Sequence, residues 1–234
     1  MVKPIIPYLR WELIPESPGD YKAHHLRGAM AGLYRDWWVF HQHFGRQYLY
    51  RHPLVQYKSL NGVLMVVGLG IGAELLAALE PPPALQLGRA LVKFREIRKI
   101  AEEYIPDFVT RHQFNFATPW LALNEDNHAE YREHVLHERK ENIQHQLQQI
   151  LKGNILSFAK GIGLTVESQL QAAIRNWNAQ PMPAKQRNSG WLMGFAASGE
   201  ITFAAPPFWG FGKQSSRGNG VMVTRKIEEE GERL

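Results

Sequence analysis

Two histidines one residue apart, His41 and His43 in Phe40-His41-Gln42-His43-Phe44, are the side chains of this chain best suited to move protons. In an extended segment their imidazoles point to the same face, because strand side chains alternate with period two. An unperturbed imidazole titrates at about pH 6.5. Such a pair can therefore divide general-base and general-acid duties near neutrality, or supply two ligands to a metal. A metal site needs three or four ligands. His24 and His25 could supply the others in space, but the chain has no cysteine and no spaced carboxylates converge on the pair. The third reading is a polar loop that happens to hold two histidines. Tyr48, Tyr50 and Arg51 follow the pair, and Arg27 and Lys58 flank it. Aromatics interleaved with cations are how single-stranded RNA is held, bases stacking on rings while phosphates meet Arg and Lys.

A second cluster lies near the C-terminus, in GFGKQSSRGNG from Gly210 to Gly220. Gly210, Gly212, Gly218 and Gly220 permit backbone conformations closed to other residues and let the main chain approach a ligand closely. Lys213, Ser215, Ser216 and Arg217 lie between them. Free N–H groups in such a loop would form a concave nest for phosphate, with two cations inside it. A flexible Gly-Ser connection is the plainer alternative. The apolar stretch Trp191–Phe203 before the loop and Val221–Val223 after it predict an ordered loop at a sheet edge instead. It is not a nucleotide P-loop, since no GK[ST] closes it and no helical pattern follows.

The elements that must position these groups can be read from pattern. Ile5–Ile14 reads as a strand, and Tyr21–Trp37 as a helix capped by Asp20. Leu54–Leu60 and Val63–Leu69 form a hairpin around Asn61-Gly62. Gly72–Leu79 is a short helix, and Leu85–Ile100 a long strand. This βαββαβ order is the ferredoxin-like unit. A second pass gives a strand at Phe114–Leu123 and a long helix at Asn127–Leu151. That helix has Leu136, Ile143, Leu147, Ile150 and Leu151 on one stripe, His128, His134, His137 and His145 on its wet face, and a break at Gly153. Strands at Gln169–Trp177, Trp191–Phe203 and Val221–Ile227 follow. The fold class is α+β: two tandem ferredoxin-like domains, 1–106 and 107–234, the second with the Gly-rich loop in place of its second helix.

Composition narrows the partners. The net charge is +5 over 234 residues. Residues 1–150 carry 17 Lys and Arg against 16 Asp and Glu, whereas 151–226 carry 9 against 2. A basic second half fits a polyanionic partner, and Lys152, Lys160, Lys213 and Arg217 are candidates for nucleic-acid backbone contacts. The absence of cysteine, of a signal segment and of any apolar run long enough to cross a bilayer predicts a cytoplasmic protein that does not engage membranes.

The chain resembles the CRISPR-associated Cas6 endoribonucleases, members of the repeat-associated RNA-binding superfamily, most closely their b subtype. The resemblance spreads over HHLRGAM (His24–Met30), FHQHF (Phe40–Phe44), YRHPLVQYK (Tyr50–Lys58) and GLGIGAELL (Gly68–Leu76). It continues in FATPWLALNEDN (Phe116–Asn127), ILKGNILSFAKGIG (Ile150–Gly163) and the Gly-rich loop. His52 stands where relatives commonly carry an aromatic. The resemblance implies two ferredoxin-like folds and metal-independent cleavage of CRISPR repeat RNA in its precursor transcript, with no cofactor. The family's histidine pair matches His41 and His43, the tyrosine of its YR-PL-QYK strand matches Tyr50, and its glycine loop matches Gly210, Gly212, Gly218 and Gly220. Subunits of a CRISPR effector complex and a second copy of the chain are further partners that it leaves open, and a binding subunit without catalysis is the alternative. RNA supplies its own nucleophile, the 2′-hydroxyl. One histidine would remove its proton and the other would protonate the leaving 5′-oxygen, with Arg27, Lys58 or Tyr50 stabilising the phosphorane. The expected ends are a 2′,3′-cyclic phosphate and a 5′-hydroxyl.

Overall fold

The computed structural model describes residues 4–40, 43–44, 47–48, 52–183 and 191–228. The first half runs β1 (Ile6–Pro15), α1 (Ala23–Leu33), a 3₁₀ turn (Trp38–Phe40), the short strands β2 (His43–Phe44) and β3 (Gln47–Tyr48), then β4 (Val55–Leu60) and β5 (Val63–Leu69). It closes with α2 (Ile71–Ala77), β6 (Ala84–Leu87) and β7 (Ala90–Tyr104). An antiparallel sheet has the order β4–β5–β1–β7–β6, and β2 pairs with β3. Strand alternation gives this sheet two apolar faces. Leu9, Trp11, Leu13, Val55, Tyr57, Leu64 and Val66 bury against Leu26 and Met30 of α1 and Ala73 and Leu76 of α2. Tyr8, Met65, Val67 and Leu69 point the other way, into the core of the second half. Fully burying a large apolar side chain stabilises by about 1.5–3 kcal/mol. That shared core is what fixes one sheet against the other.

The second half runs β8 (His112–Phe116), α3 (Glu125–Leu136), α4 (Lys140–Gly161), β9 (Ala172–Pro183), β10 (Trp191–Ile201) and β11 (Met222–Lys226), with sheet order β11–β8–β10–β9. Strand β9 is one edge of this sheet, and α4 covers it at a bulge. Gln144 Nε2 donates to the Ile174 carbonyl (2.6 Å), and the Ile174 N–H donates to Gln148 Oε1 (2.9 Å). Blocking an edge this way removes a template for unwanted strand pairing. No helix among the described residues is long and apolar enough to cross a membrane.

The α+β class and the two-sheet layout agree with the sequence, and the hairpin turns at Asn61 (φ 50°) and Gly62 (φ 78°). Several boundaries differ for local reasons. Asp20 does not cap α1: the N-cap is Lys22, without a side-chain bond. Ser59 Oγ donates to the Tyr21 carbonyl (2.5 Å), and that anchor holds the chain extended two residues longer. The strand expected over Leu85–Ile100 is a hairpin, with Gly88 at φ 64° between β6 and β7. The long helix is two helices. They separate at His137–Arg139, where Glu138 adopts φ 53°, and α3 opens with a reciprocal Asn124–Asn127 capping box. Gly153 does not break α4, and a side chain added there would meet open space. Leu136 ends α3 and is exposed instead of joining the stripe of Ile143, Leu147 and Leu151. His134 is half-buried, while His128, His137 and His145 are exposed as expected.

Candidate nucleic-acid interface

Between β10 and β11 the chain makes no second crossover helix. The loop 210–220 stands there, with a 3₁₀ turn at Ser215–Arg217 near its middle. It is docked on the first sheet. The Gly210 N–H donates to Gln56 Oε1 (2.8 Å), and Gln56 Nε2 donates to the Gly210 carbonyl (3.0 Å). Lys58 Nζ donates to Gln56 Oε1 (2.7 Å) and to the Ser215 carbonyl (2.9 Å). A Cβ on Gly210 would sit 2.8 Å from Lys58 Nζ and 2.5 Å from the Asn219 carbonyl oxygen, so only a glycine lets these chains meet.

The loop is therefore not the open nest of amides expected from its composition. The N–H groups of Phe211, Lys213, Arg217, Gly218 and Gly220 donate to the carbonyls of Gly220, Leu121, Gln214, Ser215 and Pro119. Ser215 and Ser216 are buried. The reason is that buried backbone donors must find partners, and this loop finds them within the protein. The glycines serve close packing: Gly212 lies against Trp120, and a Cβ on Gly218 would come within 2.7 Å of Ala23 Cβ.

Two cations stay outside. Lys213 and Arg217 are exposed, and the loop apex abuts the start of α1. The first turn of α1 has neither a side-chain cap nor an acidic residue, so the partial positive charge of its amides stands beside the turn that carries Arg217 without a carboxylate from that turn of α1 to offset it. Arg27, half-buried further along α1, acts on the Tyr57 phenol, which burial pushes up and Arg27 partly restrains. Lys58, by contrast, presents no ammonium to solvent. It is wholly buried, its ammonium is occupied by the loop, and burial lowers its pKa to about 7.

Behind the loop the aromatic segment 208–211 locks onto the first half. Trp209 Nε1 donates to His52 Nε2 (2.8 Å), and the His52 ring packs on Trp209, Phe158 and Phe211. Phe208 adopts φ 57°, a strained value for a bulky residue, with the Arg10 guanidinium 4.7 Å from its ring centre. Tyr8 Oη, pushed up to about 12 by burial, donates to the Pro207 carbonyl (2.9 Å) and accepts from Arg10 (3.2 Å).

His52 is held neutral, its pKa lowered to about 3 by burial and then by the Lys58 charge. The unfolded chain binds a proton here below about pH 6.5 and the folded chain does not. Stability present above pH 6.5 is thus lost as pH falls toward 3. His52→Phe is expected to flatten the acid limb of stability by up to about 1.4 kcal/mol per pH unit, one proton's worth. The orphaned Trp209 N–H would add an offset that does not vary with pH. Chemical denaturation at pH 7, 5.5 and 4 checks this; parallel curves for the two proteins would refute it.

Of the remaining site residues, His41 and Tyr50 lie outside the described residues. The backbone of His43 pairs with Tyr48 in the β2–β3 ladder that follows α1. Lys160, exposed, ends α4 beside Gly161, where a Cβ would lie 2.8 Å from His52 Cβ. The end of α4 thus abuts the residue that follows the 41–51 segment. Lys152 is half-buried two turns earlier on α4. The His24 and His25 rings are 4.1 Å apart, and among the described residues no group of three His, Asp or Glu is gathered to hold a metal.

A model of the Cas6b N-terminal domain matches residues 6–103, and a model of the Cas6b C-terminal domain matches residues 109–225. The chain belongs to the Cas6b family. A curated relative, an uncharacterized protein of Methanocaldococcus jannaschii, is 34% identical over 142 residues, 61% of this chain and 85% of its own length. A crystal structure of Cas6b superposes with a TM-score of 0.79 at 25% identity, covering 96% of this chain and all of the other. A second, titled as the CRISPR RNA processing endoribonuclease Cas6b, gives 0.69 at 25% identity over 95% of this chain and 100% of its own. A Cas6 product complex, 13% identical with a TM-score of 0.55 over 94% of this chain and all of its own, shares the fold.

For this Cas6b chain, sequence reasoning missed Gln56, His52 and Trp209. Gln56 and Lys58 are two apart on β4, and period two puts them on one face, opposite Tyr57. That spacing was the available signal. Only the loop's return to β4 gives it meaning.

Proposed function

We propose that this protein is a metal-independent endoribonuclease that cleaves CRISPR repeat RNA within a precursor transcript. Its two units, 1–106 and 107–234, divide the work. The first carries the acid–base pair His41 and His43, with Tyr50 and Arg27 stabilising the phosphorane. The second supplies backbone contacts from Lys213 and Arg217 on the loop and Lys152 and Lys160 on α4. Cleavage leaves a 2′,3′-cyclic phosphate and a 5′-hydroxyl.

The observation that carries this reading is the course of α1. Its first turn meets the loop that presents Arg217, its body carries Arg27, and its end leads into the segment with the paired histidines. At 1.5 Å per residue its 11 residues span roughly 16 Å, so phosphates a few nucleotides apart can meet both ends. Polyanion binding and proton transfer thereby fall on one RNA strand.

The expected result is cleavage of a repeat RNA in EDTA, and no cleavage but unchanged binding when the nucleotide 5′ to the cut carries deoxyribose. Cutting of the deoxy substrate would overturn 2′-hydroxyl attack. Loss of cutting in EDTA would point to a metal, and tight binding of the all-ribose RNA without cutting to a non-catalytic binding subunit.

A further inference from the structure

We propose that Gln56 and Lys58 are positioning residues for RNA: from β4 they hold the loop 210–220 so that Lys213 and Arg217 are presented beside α1. Neither side chain reaches solvent, so neither can touch RNA directly. Gln56 reads both backbone groups of Gly210, as a neighbouring strand would, and Lys58 catches the carbonyl of Ser215. The loop is thus fastened at its entry and at its 3₁₀ turn, from the opposite half of the molecule.

The choice of lysine is informative. Its ammonium bonds only to neutral oxygens among the described residues, Gln56 Oε1 and the Ser215 carbonyl. A buried cation without a carboxylate partner opposes stability, and a methionine of similar length would fill the space at lower cost. What the Lys58 amino group adds is a directed donor to the turn that carries Arg217.

The inference rests on the RNA-cleaving reading, and the test separates the two. The probe is a CRISPR repeat RNA with deoxyribose at the cut, bound to the full chain and to Lys58→Met, Arg217→Ala and the double variant. Lys58→Met is expected to fold, to exchange the amides of residues 213–218 faster, and to weaken binding about tenfold, the loss that goes with one charge-assisted contact. Its slope of log affinity against log salt should fall as it does in Arg217→Ala, by about one phosphate's worth. The double variant should bind no more weakly than the weaker single, because both changes remove the same contact. With all-ribose RNA at saturation, kcat should stay at the wild-type value while KM rises. Unchanged loop exchange in Lys58→Met, or losses that multiply in the double variant, would overturn the positioning role. A wild-type chain that fails to bind the repeat overturns both readings. Should Lys58→Met not fold, Gln56→Asn withdraws the amide from Gly210 by one methylene and carries the same expectations.

Discussion

With both His41 and His43 replaced by alanine, single-turnover cleavage of repeat RNA is expected to slow by about 10⁴-fold or more, with RNA affinity unchanged. A positioned acid or base contributes roughly 10²–10⁴-fold. Two groups that act in one proton relay do not contribute independently, so each single variant should lose nearly as much as the double. The alignment of the 2′-hydroxyl and the electrostatic support from Arg27 and Tyr50 would survive, and they set the residual rate. Binding should be spared because the contacts assigned to it, Lys213, Arg217, Lys152 and Lys160, lie in the second half of the chain. Gel quantification of the cut product under single-turnover conditions measures the rate, and filter binding measures the affinity. Scission at the wild-type pace would end the histidine mechanism whatever else the protein does.

What the sequence disclosed, and what it hid, follow from the range of the forces involved. Strands β1, β4 and β5 and helix α2 were legible because alternation and the Asn61-Gly62 turn are local signals. The break between α3 and α4 was misplaced because a left-handed residue at Glu138 has no composition cue, while Gly153, a nominal breaker, is tolerated inside a helix packed along its other face. The Gly-rich loop was found, but its physical use was misread. Composition suggested amides free for phosphate; the folded chain spends five of them on backbone carbonyls up to 101 residues away in sequence, as Gly220 does on Pro119. Lys58 shows the same limit. As a cation near the histidine pair it suggested phosphorane stabilisation, and only the return of residues 210–215 onto β4 reveals a buried clamp. His52, at a position where the resemblance leads one to expect an aromatic, makes sense once its ring is seen packed among Trp209, Phe158 and Phe211. It is an aromatic that also accepts the Trp209 N–H.

Gly220→Ala is expected to destabilise the protein by about 3 kcal/mol or more and to abolish tight RNA binding. Gly220 adopts φ 66°, and a Cβ there would lie 2.0 Å from the Phe211 carbonyl oxygen. The left-handed conformation alone costs an alanine roughly 1–2 kcal/mol. The clash is with backbone, so it can be relieved only by parting the two arms of the loop. Parting them breaks the Phe211 N–H bond to the Gly220 carbonyl (2.9 Å) and pulls Gly210 away from Gln56, and each buried group left unpaired costs a further 1–3 kcal/mol or so. Arg217 would then lose its place beside α1. Gly153→Ala is the matched control: helical, with open space around the added methyl, it should raise stability by roughly 0.5–1 kcal/mol and leave RNA binding alone. Thermal melts with calorimetry give the first quantity and filter binding the second. A Gly220→Ala protein that melts and binds like wild type would mean that the arms of the loop are not held together in solution, and the docking of the second half on β4 would have to be abandoned with it.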